Sequence, residues 1–214
     1  MHTLTSQRLP YKMREERELL DELLDASVLA HIGLVVDGRA VVFPTGFAAV
    51  DGEIVVHGST GSRWMRALSG SEATVEVTKL DAVVVARSTF ESSMQYRSAM
   101  IFGRFEPVSE ERKAALLDAY SDRVIPGRSA ELRPPHKKEI AATMALAMPI
   151  EQWSLRVSED WPDDDEADIA GDAWAGIVSF GPPPARIEPA PDLRAGIPVP
   201  PSVLELAAHP ERVV

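Results

Sequence analysis

The segment at residues 57–63 combines the residue types that bind phosphate at the start of a helix. Its sequence, HGSTGSR, places small residues and hydroxyl groups between a predicted strand and a predicted helix. Free N–H groups at such a helix start attract an anion, and the guanidinium of Arg63 can add a bidentate contact to phosphate. The segment is neither a Walker A loop nor the G-x-G-x-x-G of dinucleotide-binding folds. It therefore indicates a phosphate site; the alternative is a turn that begins a helix and leaves Arg63 in solvent.

A second polar segment, SSMQYRS at residues 92–98, leads into a predicted strand. Alternation along a strand places Tyr96 and Ser98 on one face and Arg97 and Ala99 on the other. One of these faces can line a ligand site while the other packs or meets solvent. For Arg97 taken alone, the alternative is a surface or interface arginine.

Other catalytic and metal-binding patterns are missing from the sequence. The five histidines are scattered without H-x-H or H-E-x-x-H spacing, so we expect no metal site. The chain has no cysteine, which excludes disulfides, thiolate metal sites and cysteine nucleophiles. It has no G-x-S-x-G motif either.

Size and charge limit the partners that the chain can bind. Its 214 residues carry a formal net charge of −11, which opposes general attraction to nucleic acid or to anionic lipid. No apolar run is long enough for a signal peptide core or a membrane span. We therefore expect a cytoplasmic protein that binds a small molecule, with no nucleic acid and no membrane among its partners.

Hydrophobic periodicity and turn residues predict the elements that position these segments. The predicted strands cover residues 28–36, 39–47, 53–57, 71–87 (broken at Leu80-Asp81), 96–105, 150–157 and 173–180. The predicted helices cover residues 13–26, a short stretch after Arg63, a stretch from Ser109 to about Pro126, and residues 137–147. Asp37-Gly38 and Asp51-Gly52 predict hairpin turns. Pro44 predicts an edge strand or a bend, because proline cannot donate to a sheet ladder.

This order of elements predicts a mainly β (α+β) fold, a small antiparallel barrel of about six strands with peripheral helices. The alternating βαβ rhythm of a Rossmann sheet is missing. From residue 181 onward, closely spaced prolines predict an extended arm over residues 181–214. We therefore divide the chain into a barrel domain with an N-terminal helix, residues 1–180, and this arm.

Several motifs occur together in one order along the chain. They are His57-Gly58-Ser59 with Ser62-Arg63, the run from Leu80-Asp81 to Ala86-Arg87-Ser88, Met94 to Ser98 followed by Phe102-Gly103, and Trp174-Ala175-Gly176. Over residues 6–180 this series resembles the pyridoxamine-5′-phosphate-oxidase-like flavin-binding family, in the branch that includes nitroimidazole-resistance-type proteins. The resemblance implies a split β-barrel that forms a homodimer, with an FMN in each of two clefts between the subunits.

The resemblance also implies a role for individual residues. It assigns the FMN phosphate to Ser59, Ser62 and Arg63. It assigns the flavin ring to the second strand at Phe43, Pro44 and Thr45, with His57 close to that pocket as the one candidate for a role near the reacting ring. It assigns further flavin or interface contacts to Tyr96, Arg97 and Ser98.

One segment departs from the family pattern. Related sequences carry His-His-Ser-Met-Asn where this chain has ESSMQ at residues 91–95, which leaves fewer proton donors near physiological pH. The leading hypothesis is an FMN-dependent oxidoreductase acting on a small molecule. The alternatives are a non-catalytic flavin carrier and a scaffold that uses the proline-rich arm. Because the wider family includes binders of deazaflavin F420 and of haem, both stay open as alternative cofactors.

Overall fold

The structure, a computed structural model, describes residues 8–179, 199 and 201–208. Within them the strands are β1 (Met13–Arg14), β2 (Leu29–Val36), β3 (Arg39–Gly46), β4 (Ala48–Val50), β5 (Glu53–Ser59), β6 (Glu72–Val85), β7 (Ser93–Arg104), β8 (Glu106–Pro107), β9 (Thr143–Pro149), β10 (Gln152–Ser158) and β11 (Gly176–Ser179). The helices are α1 (Arg17–Asp25), α2 (Arg63–Leu68), α3 (Glu110–Val124), α4 (Lys137–Ala142), α5 (Glu166–Ile169) and α6 (Pro201–Ala208), with 3-10 turns at Pro10–Lys12 and Ser129–Glu131.

The larger sheet is antiparallel and has seven strands. Its order is β1-β10-β7-β6-β2-β3, and β11 pairs with the last four residues of β6. The β2–β3 hairpin turns at Asp37 and Gly38, whose φ angles of 51° and 74° are those that a tight hairpin turn requires. β3 lies at the edge of this sheet, which confirms the position predicted from Pro44.

The smaller sheet has four strands in the order β4-β5-β9-β8. β4 and β5 are joined at Asp51 and Gly52, whose φ angles of 51° and 78° confirm the second predicted hairpin turn. β5 pairs along its whole length with β9, and this pairing places His57 opposite Ala145. The loop that follows β5 leads directly into α2.

Two apolar clusters hold these layers together. The main one takes buried residues from both sheets and from α1 and α2; its largest members are Phe47, Phe105, Leu20, Leu23, Leu24, Ile32, Ile54, Met65, Leu68, Ile101, Leu146 and Met148. Each such side chain contributes about 1.5–3 kcal/mol through removal from water. A smaller cluster around Val55, Leu116 and Ala147 joins the four-stranded sheet to α3. The fold is therefore mainly β, with two packed antiparallel sheets of the split-barrel type and peripheral helices, as predicted.

The boundaries of two predicted helices were wrong. Helix α1 begins at Arg17 rather than at residue 13, because Met13 and Arg14 pair with β10. The helix predicted over residues 137–147 ends at Ala142, and Thr143–Pro149 form β9. Ala145, Leu146, Ala147 and Met148 are all buried, so pairing with β5 overrides their helix propensity.

The number of strands also differs from the prediction. Eleven strands are present in the described residues rather than about six, because short strands such as β1 and β8 are set by long-range pairing. The break predicted at Leu80-Asp81 is a shift in register within the continuous strand β6. Of the predicted arm at residues 181–214, the structure describes residue 199 and the helix α6; the rest lies outside the described residues. None of the described helices has the length and apolarity needed to cross a membrane.

Candidate functional site

The loop between β5 and α2 is closed by its own hydrogen bonds. The Ser62 amide donates to the Ser59 carbonyl at 2.9 Å, and the Gly61 amide donates to the Ser59 hydroxyl at 3.1 Å. Arg66 Nη1 donates to the Thr60 carbonyl at 3.1 Å. The loop therefore has a defined shape, and the Ser59 hydroxyl serves it as an acceptor.

Arg63 is the cation that this loop presents to solvent. Its side chain is exposed and forms no hydrogen bond or ion pair with any residue that the structure describes. Ser62 directly precedes Arg63, and its hydroxyl forms no capping hydrogen bond with the start of α2. Among the described residues, the Arg63 guanidinium and the Ser62 hydroxyl are therefore both available to an anion.

An aromatic pair lies beside this cation. Phe43 on β3 and Trp64 on α2 have ring centroids 4.6 Å apart at an interplanar angle of 50°, and both pack on the edge of the main core. Gly58 permits the close approach of α2, because a side chain there would come within 2.9 Å of Met65 Cγ. The result is an apolar wall next to Arg63.

The three residues predicted on β3 do not share one face. Phe43 pairs with the core residue Ile32, and Thr45 pairs with the buried Ala30, so both belong to the inner face of the strand. Pro44 pairs with the half-exposed His31 and lies on the outer face. Phe43 and Thr45 can therefore contact a ligand at the inner edge of β3, and Pro44 can contact one on the other side.

His57 contacts α3 rather than the loop. Its ring meets the Tyr120 ring edge-on at a centroid distance of 4.4 Å, and its Nδ1 is buried without a hydrogen-bond partner in the described structure. Burial lowers the pKa of His57 below its usual value and raises the pKa of Tyr120. His57 is therefore an uncharged imidazole at neutral pH, with one ring nitrogen that no described residue satisfies.

The residues predicted on β7 are divided between its two faces. Arg97 Nε and Nη2 donate to the Asp81 carboxylate at 3.0 and 2.8 Å, and this hydrogen bonding raises the pKa of Arg97. Tyr96 and Ser98 lie on the other face, where the Tyr96 ring is 5.9 Å from the Arg156 guanidinium carbon. The Nε atom of Arg156 is buried and has no partner within the described residues. The outer face thus holds an unsatisfied cation beside Tyr96 and Ser98.

The predicted site residues form two separate groups in one chain. Phe43 lies in register with Ile101 across β2 and β6, and Tyr96 is on the same strand as Ile101. Across the sheet, the two residues are separated by three inter-strand spacings of about 4.8 Å. Along the strand, they are separated by five residues of about 3.3 Å each, so Tyr96 lies roughly 20 Å from Phe43. Phe43, on the inner face of β3, and Tyr96, on the outer face of β7, are therefore far apart within one chain.

Three residues of these groups were not among the predicted site residues. Trp64 directly follows Arg63, and this position in the loop-to-helix segment could have identified it as a site residue from the sequence. Tyr120 and Arg156 lie on α3 and β10 and reach the site only through tertiary packing, so no local pattern marks them. Within the described residues, no group of three or more histidine, aspartate or glutamate side chains is placed to hold a metal ion.

The segment that departs from the family pattern lines a groove of about 710 Å³. The groove also contacts Tyr11, Trp161 and the strongly exposed Phe90. Of the two cations that line it, Arg8 and Lys12, Lys12 is held by Asp160 at 2.8 Å. Residues 91–94 therefore face an open, aromatic-lined surface.

Comparison with known proteins identifies the family. Residues 16–157 match the family model described as pyridoxamine 5′-phosphate oxidase. The chain belongs to this family. No curated protein sequence matches it.

Two solved structures resemble this family member over nearly its whole length. The FAD and haem binding protein from Mycobacterium smegmatis is 53% identical, with a TM-score of 0.86, covering 92% of this chain and 97% of that one. The flavocytochrome Anf3 from Azotobacter vinelandii is 34% identical, with a TM-score of 0.87 and 94% of each chain covered. A protein from Bacteroides thetaiotaomicron assigned to 5-nitroimidazole antibiotic resistance shares the fold, at 14% identity and a TM-score of 0.57, over 68% of this chain and 86% of that one.

Proposed function

We propose that this chain is a redox protein that binds a flavin, FAD in the first place, together with haem. The observation that carries the proposal is the 53% identity, over 92% of the chain, to a protein described as binding FAD and haem. The similarity to a flavocytochrome over 94% of the chain supports the same pair of cofactors. The family resemblance alone favours FMN, so FMN is the flavin against which FAD must be compared.

The residues around Arg63 fit the flavin. A flavin nucleotide carries phosphate, and Arg63 is a cation without a partner among the described residues. Phe43 and Trp64 form an apolar wall beside it, of the kind that excludes water from an aromatic ring. We infer that Arg63 and Ser62 bind the phosphate and that Phe43 and Thr45 contact the remainder of the nucleotide.

A second copy of the chain would complete this site. Tyr96, Ser98 and Arg156 lie roughly 20 Å from Phe43 on the outer face of the seven-stranded sheet. The buried Nε of Arg156 has no hydrogen-bond partner among the described residues, so this polar group is not satisfied by the part of the chain that the structure describes. We infer a homodimer in which each flavin takes the Arg63 group from one subunit and the Tyr96 group from the other.

The proposed chemistry is electron transfer. A bound flavin and a bound haem supply the electron carriers, and the protein supplies their binding and orientation. The uncharged His57 ring, which packs edge-on against Tyr120, is our candidate for a proton exchange. The proposed reaction is the oxidation or reduction of a small molecule, and a carrier without turnover is the alternative that reduction of the bound flavin tests.

Arg63→Ala should weaken flavin binding by about 1.5–3 kcal/mol, roughly 10–100-fold, because it removes a charge-assisted hydrogen bond to phosphate. The measurement is a fluorescence-quenching titration with FAD and, separately, with FMN. Arg39→Ala is the matched control, since it removes an exposed arginine at the β2–β3 hairpin. Equal dissociation constants for Arg63→Ala and Arg39→Ala would show that the phosphate binds elsewhere.

A further inference from the structure

His31 and Glu76 form a histidine–carboxylate pair on the outer face of the seven-stranded sheet. They lie directly opposite each other on β2 and β6, with His31 Nδ1 3.2 Å from Glu76 Oε2. The other Glu76 oxygen accepts a hydrogen bond from the Thr78 hydroxyl. Glu76 is thus held by Thr78, and its other oxygen lies within ion-pair distance of the imidazole.

This pairing determines which ring nitrogen is left for a ligand. Nδ1 is the ring nitrogen that faces the carboxylate, which leaves Nε2 for a ligand. Histidines that bind metals almost always donate their other ring N–H to a carboxylate, a carbonyl or water in this way. The His31 side chain is 50% exposed, so it is accessible from outside the chain.

Within one chain, the surface around His31 is apolar and exposed; it belongs to the sheet face that we infer to lie between the subunits, so a haem bound here would lie at that interface. Leu29 and Gly33 flank it on β2, Pro44 lies opposite it on β3, and Met100 lies beyond Glu76 on β7. Leu29 is 54% exposed and Met100 is 42% exposed. A groove of about 430 Å³ begins at Gly33 and runs between β3 and β7. An imidazole set in a broad apolar face suits a flat, apolar group that carries a metal ion.

We propose that His31 would bind the iron of the haem through Nε2 and that Glu76 positions it. This inference rests on the proposed function, because it names a ligand for the haem that the proposed function includes. The other described histidines fit less well. His57 has its Nδ1 buried against protein, and His136 lies at the start of α4, where its amide donates to Glu139. His31 alone among these three combines an oriented ring with an apolar, accessible surface.

The test is a titration of the purified full-length protein with haemin, followed by the Soret band. His31→Ala should weaken haem binding at least roughly 10-fold and shift the Soret band, and added imidazole should restore the band position by replacing the lost ligand. His136→Ala, the matched control, should bind haem as the wild type does. Circular dichroism checks that each variant is folded.

Glu76 provides the second arm of the test. Glu76→Gln keeps an oxygen beside Nδ1 and should keep the wild-type Soret position, whereas Glu76→Ala should weaken haem binding roughly 10–100-fold. If Glu76 had a purely structural role, Glu76→Gln and Glu76→Ala would not differ from each other in haem binding in this way.

Three results would overturn the assignment. They are an unchanged Soret band in His31→Ala, loss of the band in His57→Ala but not in His31→Ala, and a wild-type protein that binds FAD but no haem. If the wild type binds neither FAD nor haem, the proposed function itself fails.

Discussion

At position 46 the fold has room for glycine alone, because Tyr120 occupies the adjacent space. A side chain on Gly46 would overlap the Tyr120 hydroxyl, whereas the nearest ring carbon would be 3.8 Å away. Gly46→Ala should therefore destabilise the protein by about 1–3 kcal/mol. Tyr120→Phe should remove most of that cost, and urea unfolding of the two single variants and the double variant measures it. A cost that persists in the Tyr120→Phe background would place the strain in the backbone.

A single residue, His57, should make the free energy of unfolding depend on pH. Because burial lowers its folded-state pKa below the usual 6.5, the unfolded chain binds a proton more readily in this range. The free energy of unfolding should therefore decrease as the pH falls below about 6.5 and be fully retained above it. The described carboxyl groups with shifted pKa values, such as Glu139 at about 2, titrate at lower pH. Urea unfolding between pH 5 and 8 measures the slope, which His57→Gln should reduce; an equal slope in that variant would contradict this assignment.

At the scale of elements, the outer face of the seven-stranded sheet is the surface that we infer to lie between subunits. Met100 is near its centre, between Glu76 and Ser154, and is 42% exposed in one chain. Met100→Lys should convert the dimer to monomers, because it buries a charge at an apolar interface. Sedimentation velocity measures the change. Leu132→Lys, at a similarly exposed residue outside both sheets, should remain dimeric; a dimer for both variants would show that this face is not the interface.

The sequence predicted those elements whose signals are local. The two Asp-Gly turns and the edge position of Pro44 follow from backbone preferences of single residues, and all three were confirmed. β9 was predicted as helix because its continuous apolar run has no strand alternation. It is a strand because it pairs with β5 and because its side chains are buried in the two apolar clusters. β1 has two residues and exists through its pairing with β10, which no local pattern specifies.

At the scale of the whole molecule, the candidate site was predicted as a list of residues but not as an arrangement. Ser59, Ser62 and Arg63 lie together because one loop carries them. Tyr96 and Ser98 are roughly 20 Å from Phe43, a separation that only the order of strands in the sheet reveals. Arg156 joins them from β10 by tertiary packing. We propose that a second copy of the chain brings the two groups together into one site.

The most direct test of the central claim is the ultraviolet–visible spectrum of the purified protein during titration with FAD, FMN, deazaflavin F420 and haemin. We expect stoichiometric binding of FAD and of haem by the same protein, each saturating at one per chain, with two of each per dimer. FAD should bind more tightly than FMN. A protein that binds deazaflavin F420 in place of FAD, or that takes up neither flavin nor haem, would contradict the account.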